Sequence, residues 1–283
     1  MRVSTVEEPP VAEFEMRNLG PKRGELARKT SKVKNDMNSL SPSGTTEEKG
    51  YSIVCRCAAE FIAVMLFVYI GSLSGVGGGI LNAAIAHGCA IFVLISMFGC
   101  ISGAHINPAV TLGVTLTGKL NPIVAALYIA SQLVGGFFGA LLVKITLSNN
   151  AYHTIHAGAT LCARNVTWYE ALTIETVTTF ILVHTVLMCA TDQENFPLAP
   201  LSIGFAVLID ILAAGDISGG SMNPARSFGP QIAGQIFLDQ THINKLYNYW
   251  TFHFVYYIGP CLGSAIAALV YRVFFASGYR MLP

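Results

Sequence analysis

Two short motifs constrain the fold of this chain more than any other feature. Residues 102–110 read SGAHINPAV, and residues 218–230 read SGGSMNPARSFGP. Each contains Asn followed by Pro and Ala, as Asn107-Pro108-Ala109 and as Asn223-Pro224-Ala225. Asn is a favoured N-cap, and Pro is tolerated at the first helical position because its missing N–H would have no partner there. We therefore predict that a helix begins at each motif.

Both motifs lie between long apolar segments, and neither is followed by enough chain to cross a bilayer before the next turn signal. The two helices are therefore predicted to be half-helices that re-enter the membrane. Non-helical backbone at membrane depth is tolerated only where protein buries it or where it lines a water-filled cavity. The pattern therefore predicts a pore.

Composition agrees with a membrane protein that crosses the bilayer several times. The chain has 283 residues, of which 53% are hydrophobic and 12% charged, and its mean hydropathy is +0.54. Six apolar segments have about the 20 residues that a bilayer requires. We predict an all-α membrane protein with six transmembrane helices and two re-entrant half-helices, the spans being approximately 55–75, 82–102, 121–143, 168–190, 199–216 and 249–276.

The distribution of basic residues predicts the orientation. Ten of the 17 Lys and Arg residues lie between Arg2 and Arg56, which places the N-terminus in the cytosol. Six spans return the C-terminus to the same side. Residues 1–52 contain too few large apolar residues to form a core, so we expect a disordered cytosolic tail there and a short cytosolic tail at 277–283. The membrane can be the plasma membrane or an intracellular one.

An internal repeat relates the two halves of the chain. Glu60 precedes Asn107 by 47 residues, and Glu175 precedes Asn223 by 48 residues. Three spans in each half give the halves opposite orientations, so 53–143 and 168–276 form an inverted repeat joined by an extracellular or lumenal connection at 144–167. An ionisable residue in a span normally faces the bundle interior with a partner. We expect each Glu to support its re-entrant loop through backbone N–H groups.

The paired motifs, the six spans and the two Glu residues together resemble the aquaporin (major intrinsic protein) family over about residues 55–276. The resemblance implies a homotetramer with one pore in each subunit. It also implies a selectivity filter of four residues, which by their spacing from the motifs are His87, Ile211, Gly220 and Arg226. This set is similar to that of aquaporin-8-type channels (aquaammoniaporins) and of plant tonoplast channels.

The same residues predict which molecules pass. Two half-helix N-termini give a positive potential in a narrow passage, and Arg226 adds a permanent charge. If each Asn oxygen caps its own half-helix, the amide NH₂ is left as a donor to the lumen. We expect water, hydrogen peroxide and ammonia to pass while protons and other ions are excluded. A strictly water-selective channel, a coupled secondary transporter and a structural junction protein are the alternatives.

Four further residues are candidates for smaller roles. His105, two positions before Asn107, is expected to pin the loop by hydrogen bonds. Cys57 is either a redox-modifiable thiol near the cytosolic mouth or a packing residue. Asn165 begins an N-x-T glycosylation triplet. Asp210 is an acidic residue beside Ile211 to which the sequence assigns no role.

Other function classes find no support in the sequence. The seven Cys residues are scattered, without the spacing of metal ligands or of a disulfide framework. No nucleophile, base and orienting group form a recognisable catalytic set. We therefore expect neither an enzyme nor a cofactor or metal, and we expect lipids, water, small neutral solutes and other copies of the chain as partners rather than nucleic acid.

Overall fold

The computed structural model describes residues 50–191, 197–246 and 249–276. The predicted tails at 1–52 and 277–283 lie outside these residues, apart from residues 50–52. The described chain is built from helices, which are α1 (Ile53–Leu73), α2 (Ile80–Ser102), α3 (Pro108–Leu116), α4 (Pro122–Thr146), α5 (Asn149–Thr154), α6 (Trp168–Val186), α7 (Ala199–Ala214), α8 (Pro224–Phe237), α9 (Gln240–Lys245) and α10 (Val255–Val270). Single π-helical turns extend α6 to Thr191 and α10 to Phe275.

The predicted architecture is confirmed, with differences at the element ends. Helices α1, α2, α4, α6 and α10, with their extensions, are long and apolar enough to cross a membrane. Helix α7, the fifth predicted span, is apolar but only 16 residues long. Helices α3 and α8 begin at the predicted positions and have 9 and 14 residues.

The sixth span begins six residues later than predicted, at Val255 instead of residue 249. Residues 249–254 form turns because Tyr249 is hydrogen-bonded to α8, where its carbonyl accepts from the Gln231 amide and its hydroxyl donates to the Gln231 carbonyl at 2.9 Å. Helices α5 and α9 were not predicted from the sequence. Because α4 extends to Thr146 and α5 follows at Asn149, the connection predicted at 144–167 contains less irregular chain than expected.

Within each half of the chain, a glycine lets the first and the last spanning helix approach closely. A β-carbon on Gly135 of α4 would lie 2.4 Å from the Phe61 carbonyl oxygen of α1. A β-carbon on Gly263 of α10 would lie at the same distance from the Thr176 carbonyl oxygen of α6. Small residues at such crossings let helix backbones approach in membranes. The pair α1/α4 in the first half and the pair α6/α10 in the second half therefore pack in the same way, with a glycine at each contact.

The half-helices point to opposite ends of the bundle. The C-terminal end of α3 is near Thr191, whose carbonyl accepts from Lys119 at 3.2 Å, and near Arg272, which donates to the Leu116 carbonyl at 3.3 Å. Helix α8 instead ends against Tyr249 and Ala157. We call this second end, which also carries α5 and α9, the Arg226 end.

Candidate pore

The two Asn residues cap the half-helices. The side-chain oxygen of Asn107 accepts from the Ala109 N–H at 2.8 Å. The oxygen of Asn223 accepts from the N–H groups of Ala225 and Arg226 at 3.0 and 3.2 Å. Each oxygen therefore satisfies N–H groups that the start of an α-helix leaves without an intrahelical partner.

The Asn amides also join the two halves of the chain. Nδ2 of Asn107 donates to the Met222 carbonyl at 2.8 Å, and Nδ2 of Asn223 donates to the Ile106 carbonyl at 2.9 Å. Each NH₂, which was expected to be a donor to the lumen, therefore gives one of its hydrogens to the opposite loop. Since an amide NH₂ has two hydrogens, one from each Asn is left for a molecule in the cavity, which both residues border.

The Glu60 carboxylate supports the first re-entrant loop through hydrogen bonds. One carboxylate oxygen accepts from the Ser102 hydroxyl at 2.6 Å and from the His105 N–H at 2.9 Å. The other accepts from the Ile106 N–H at 2.8 Å and from the Gln132 amide at 2.9 Å. The carboxylate is fully buried, so these donors replace its hydration.

Glu175 repeats this arrangement in the second half. Its oxygens accept from the Ser218 hydroxyl at 2.6 Å, the Ser221 N–H at 2.9 Å and the Met222 N–H at 2.8 Å. The donors stand 116 positions after their counterparts in the first loop. The contacts agree with the predicted partners of both Glu residues.

Both loops contain backbone strain beside the capping Asn. Ile106 has φ of 56° and Met222 has φ of 53°. Such a conformation is rare for a residue with a side chain, above all a β-branched one, and costs about 1–3 kcal/mol. Each strained residue donates its N–H to a buried carboxylate, so Glu60 and Glu175 offset the strain where it occurs.

His105 lies between its loop and its half-helix. Its Nδ1 is 3.1 Å from the Thr111 hydroxyl, and its ring packs edge-on against Tyr128 with centroids 5.4 Å apart. Ser221 occupies the equivalent place in the second loop and bonds Ser227 at 2.6 Å. His105 thus ties its loop to α3, and it also borders the cavity.

Both Asn residues border one cavity, which is lined by residues of several helices. The volume open to the centres of water-sized molecules is about 50 Å³. A water needs ~10–15 Å³ on this measure, so only a few waters fit at once. Most of the lining is apolar. The lining includes Phe67, Ile91, Val110, Leu182, Val207, Gly103, Ala104 and Ser221.

Two of the four predicted filter residues border this cavity. His87 and Ile211 border it. A β-carbon on Gly220 would lie 3.3 Å from the Ile211 Cα, so Gly220 is packed against that wall. Arg226 is part-buried in the first turn of α8, and its Nη1 donates to the Gly158 carbonyl at 2.9 Å.

The imidazole of His87 is oriented by three neighbours. Nδ1 lies 2.8 Å from the Ala83 carbonyl, and the ring packs edge-on against Phe67 at 5.3 Å. A β-carbon on Gly71 would lie 2.2 Å from Nε2, so only Gly leaves room for the ring. Nε2 has no hydrogen-bond partner among the described residues, and the His87 side chain borders the cavity.

Sequence reasoning missed several residues that shape the site. Tyr128 and Tyr256 donate to the carbonyls of Ser102 and Ser218 at 2.9 and 2.6 Å. Their spacing from the two motifs differs, by 21 and 33 residues, so the repeat did not reveal that they share a role. Gly71 and Gly158 carried no signal in the sequence. Gly71 leaves space for the His87 ring, and Gly158 presents its backbone carbonyl to Arg226.

The remaining candidates lie away from the cavity wall. Cys57 is half-buried in an apolar surface groove with Phe61 and Leu127. Asn165 is exposed just before α6, whose N-cap Thr167 shares a capping box with Glu170. Asp210 is buried, and its Oδ2 has no hydrogen-bond partner among the described residues.

Comparisons with known sequences point to one protein family. Residues 47–271 match the family model described as Major intrinsic protein. The chain is 40% identical over 224 residues to Aquaporin-8 of Rattus norvegicus, covering 77% of this chain and 80% of that protein. It is 39% identical over 232 residues to Aquaporin TIP1-2 of Zea mays, covering 77% and 84%.

A solved structure shares the fold. The X-ray structure of the aquaglyceroporin from Plasmodium falciparum superposes with a TM-score of 0.67 at 23% identity, covering 78% of this chain and 96% of that one. At this level of identity the likeness shows the fold alone.

Proposed function

Because this chain belongs to the major intrinsic protein family, whose aquaporins are membrane channels rather than enzymes, we propose that it conducts water, hydrogen peroxide and ammonia passively and excludes protons and ions. The observation that carries the proposal is the meeting of two Asn-capped half-helices at a narrow cavity. Catalysis has no part in this proposal.

Proton exclusion follows from the donors at the centre of the cavity. Each Asn presents one amide hydrogen, and both half-helix N-termini direct their positive ends there. A water between them must accept hydrogen bonds from both sides, so it cannot also accept from its neighbours in a proton-conducting chain. A cation meets the same positive potential without compensation.

The choice among neutral solutes is assigned to His87, Ile211, Gly220 and Arg226. Gly220 contributes no side chain and Ile211 contributes an aliphatic one. The passage here is therefore wider and less polar than it would be with bulky polar side chains at these two positions. The unpartnered Nε2 of His87 offers a hydrogen-bonding position to a passing solute. Arg226, held on the Gly158 carbonyl, contributes its charge and its guanidinium donors. A wall of this kind suits peroxide and ammonia as well as water.

The surrounding residues are assigned supporting roles. Glu60, Glu175 and His105 hold the loops. The protein is proposed to act as a homotetramer in lipid, with both tails in the cytosol and the Arg226 end facing outside or a lumen. In that orientation the exposed Asn165 is accessible to glycosylation. Cys57 is proposed as an oxidisable thiol, since its groove is open to the surface.

The test is stopped-flow measurement of water, peroxide and ammonia fluxes in proteoliposomes. The wild-type chain is expected to pass all three above empty vesicles. His87→Phe is expected to reduce ammonia flux at least several-fold more than water flux, because it removes the polar edge of the ring. His184→Phe is the matched control, since His184 stacks on Phe180 and does not border the cavity.

The outcomes separate the alternatives. Water flux alone would leave a strictly water-selective channel. Saturable uptake driven by an ion gradient would indicate a coupled transporter. Flux equal to that of empty vesicles for all three solutes would contradict the channel proposal.

Replacing Arg226 by Ala gives a second check on the filter. The change removes a charge and the bond to Gly158, and it widens the passage. We expect glycerol, which the wild type should pass poorly, to enter several-fold faster in the same assay. Arg164→Ala, at an exposed position, is the control. Unchanged glycerol flux in Arg226→Ala would remove Arg226 from the filter.

A further inference from the structure

Two tyrosine hydroxyls fix the residue at which each re-entrant loop begins. The Tyr128 hydroxyl donates to the Ser102 carbonyl at 2.9 Å, and the Tyr256 hydroxyl donates to the Ser218 carbonyl at 2.6 Å. The two Ser residues are 116 positions apart, as are the two capping Asn residues, so they are equivalent in the repeat. Both tyrosines are buried, so bulk water does not satisfy the lone pairs of their hydroxyls.

Each of these hydroxyls has one further partner. Arg56, in the first turn of α1, has its Nε 2.7 Å from the Tyr128 hydroxyl. Cys162, in the connection before α6, has its Sγ 3.2 Å from the Tyr256 hydroxyl. A hydroxyl has a single hydrogen, and both tyrosines give theirs to a Ser carbonyl, so the second partner must be the donor. The Arg56 N–H and the Cys162 S–H therefore donate to the tyrosine oxygens.

We propose that Arg56 is a positioning residue for the pore, acting through Tyr128 on the first re-entrant loop, and that Cys162 acts in the same way through Tyr256 on the second. The expected effects on flux rest on the proposed channel function, whereas the hydrogen bonds do not. The two donors come from unrelated positions, since Arg56 precedes Tyr128 by 72 residues and Cys162 precedes Tyr256 by 94. The two halves therefore reach the same contact with different residues, which the repeat in the sequence does not reveal.

The contact matters because it fixes the start of the loop. Ser102 ends α2, and the last carbonyls of a helix have no intrahelical partner. The Ser102 hydroxyl donates to Glu60 on α1, while its carbonyl accepts from Tyr128 on α4. The loop is thus anchored to two helices at the residue from which it departs, five positions before the capping Asn107.

Arg56 is also connected to the cavity through the Tyr128 ring. The guanidinium carbon lies 5.4 Å from the centroid of that ring, within the range of a cation–π contact. The same ring packs edge-on against His105, which borders the cavity. Loss of Arg56 releases the hydroxyl and the ring together, so the His105 ring loses a fixed neighbour at the cavity wall.

The donor in the second half is weaker. A thiol is a weak hydrogen-bond donor, whereas a guanidinium N–H is charged. Burial raises the pKa of the Cys162 thiol, and the hydrogen bond to Tyr256 opposes that shift, so the thiol keeps its proton at neutral pH. The loop that it supports contains Gly220 and leads to Arg226, two of the proposed filter residues. We therefore expect Cys162 to affect which solutes pass more than how fast water passes.

A double-mutant cycle in proteoliposomes tests Arg56. Arg56→Met removes the donor and the charge, and Tyr128→Phe removes the hydroxyl. Each should lower water flux per folded protein at least threefold, with little further loss in the double variant, because Arg56 acts through Tyr128. Arg56→Lys retains a donor and should keep more than half of the wild-type flux. Cys55→Ala, at an exposed neighbouring position, is the control.

The ratio of glycerol flux to water flux tests Cys162. Cys162→Ala should raise this ratio at least twofold, because the loop that carries the filter loses its anchor, whereas Arg56→Met should leave the ratio unchanged. Cys162→Ser retains a donor and should give a ratio closer to that of the wild type. Cys261→Ala, which removes an exposed thiol from α10, is the control.

Wild-type flux in Arg56→Met, or losses that add in the double variant, would overturn the role of Arg56. An unchanged glycerol-to-water ratio in Cys162→Ala would overturn that of Cys162. Thermal unfolding in detergent applies the same cycle without a flux measurement. The effects of Arg56→Met and Tyr128→Phe on the unfolding temperature should also be non-additive, and additive effects would overturn the link between them. Absence of any wild-type water flux would contradict the proposed function instead.

Discussion

Glu175→Gln is expected to lower the free energy of unfolding by about 2–4 kcal/mol and water flux at least tenfold. The carboxylate accepts three hydrogen bonds in a fully buried site. Gln replaces one accepting oxygen by an NH₂ donor, which faces a donor of the loop and leaves a buried group unpaired. Such a loss costs about 1–3 kcal/mol for a neutral group and more where the lost partner was charged.

Flux should fall because Met222 and Asn223 lose their support together. The Met222 N–H is bound by Glu175, while the Met222 carbonyl receives the Asn107 amide. Thermal unfolding in detergent and stopped-flow flux per folded protein are the two measurements. Glu170→Gln is the matched control, because Glu170 lies on the same helix but is exposed and serves only a capping box. Wild-type stability and flux in Glu175→Gln would show that the carboxylate does not hold the loop.

Gly71→Ala is expected to reduce water flux about tenfold. The added methyl group would lie 2.2 Å from Nε2 of His87, well inside contact distance, so the imidazole must move away from α1. The ring already borders a cavity with room for only a few waters, and displacement into it obstructs the passage. Helix propensity alone would favour Ala by about 1 kcal/mol, so lower stability would also indicate the clash.

A double substitution separates the clash from other effects. Gly71→Ala combined with His87→Ala removes the ring that the methyl group displaces, and it should restore most of the flux. Gly75→Ala is the control, since a β-carbon there lies 3.4 Å from Ile155, an ordinary contact. If the single and double variants are equally impaired, the position of His87 is not what Gly71 protects.

The sequence predicted the parts of the fold that depend on local chemistry. Asn before Pro predicted where α3 and α8 begin, because capping involves only neighbouring residues. Glu60 and Glu175 stood out because a charge in an apolar segment demands partners, and the repeat indicated which loop each one serves. The capping signal lies within a few neighbouring residues, and the signal from each Glu lies within one period of the repeat.

What the sequence did not predict depends on contacts between distant segments. Residues 249–254 are apolar enough to extend α10, yet Tyr249 is bound to Gln231 and the segment turns instead. Gly71 matters only because the His87 ring crosses over it. The Asn amides donate to the opposite loop, a pairing that neither half shows by itself.

The reciprocal Asn bonds bear on how the protein is made. They join residues 115 and 117 positions apart, and each half supplies the acceptor that the other half requires. When the first three spans have entered the membrane, the Asn107 amide and the Ile106 carbonyl have no counterpart until residues 222 and 223 have been synthesised. The first half is therefore an incomplete intermediate during biosynthesis, and the second half completes its centre as well as its own.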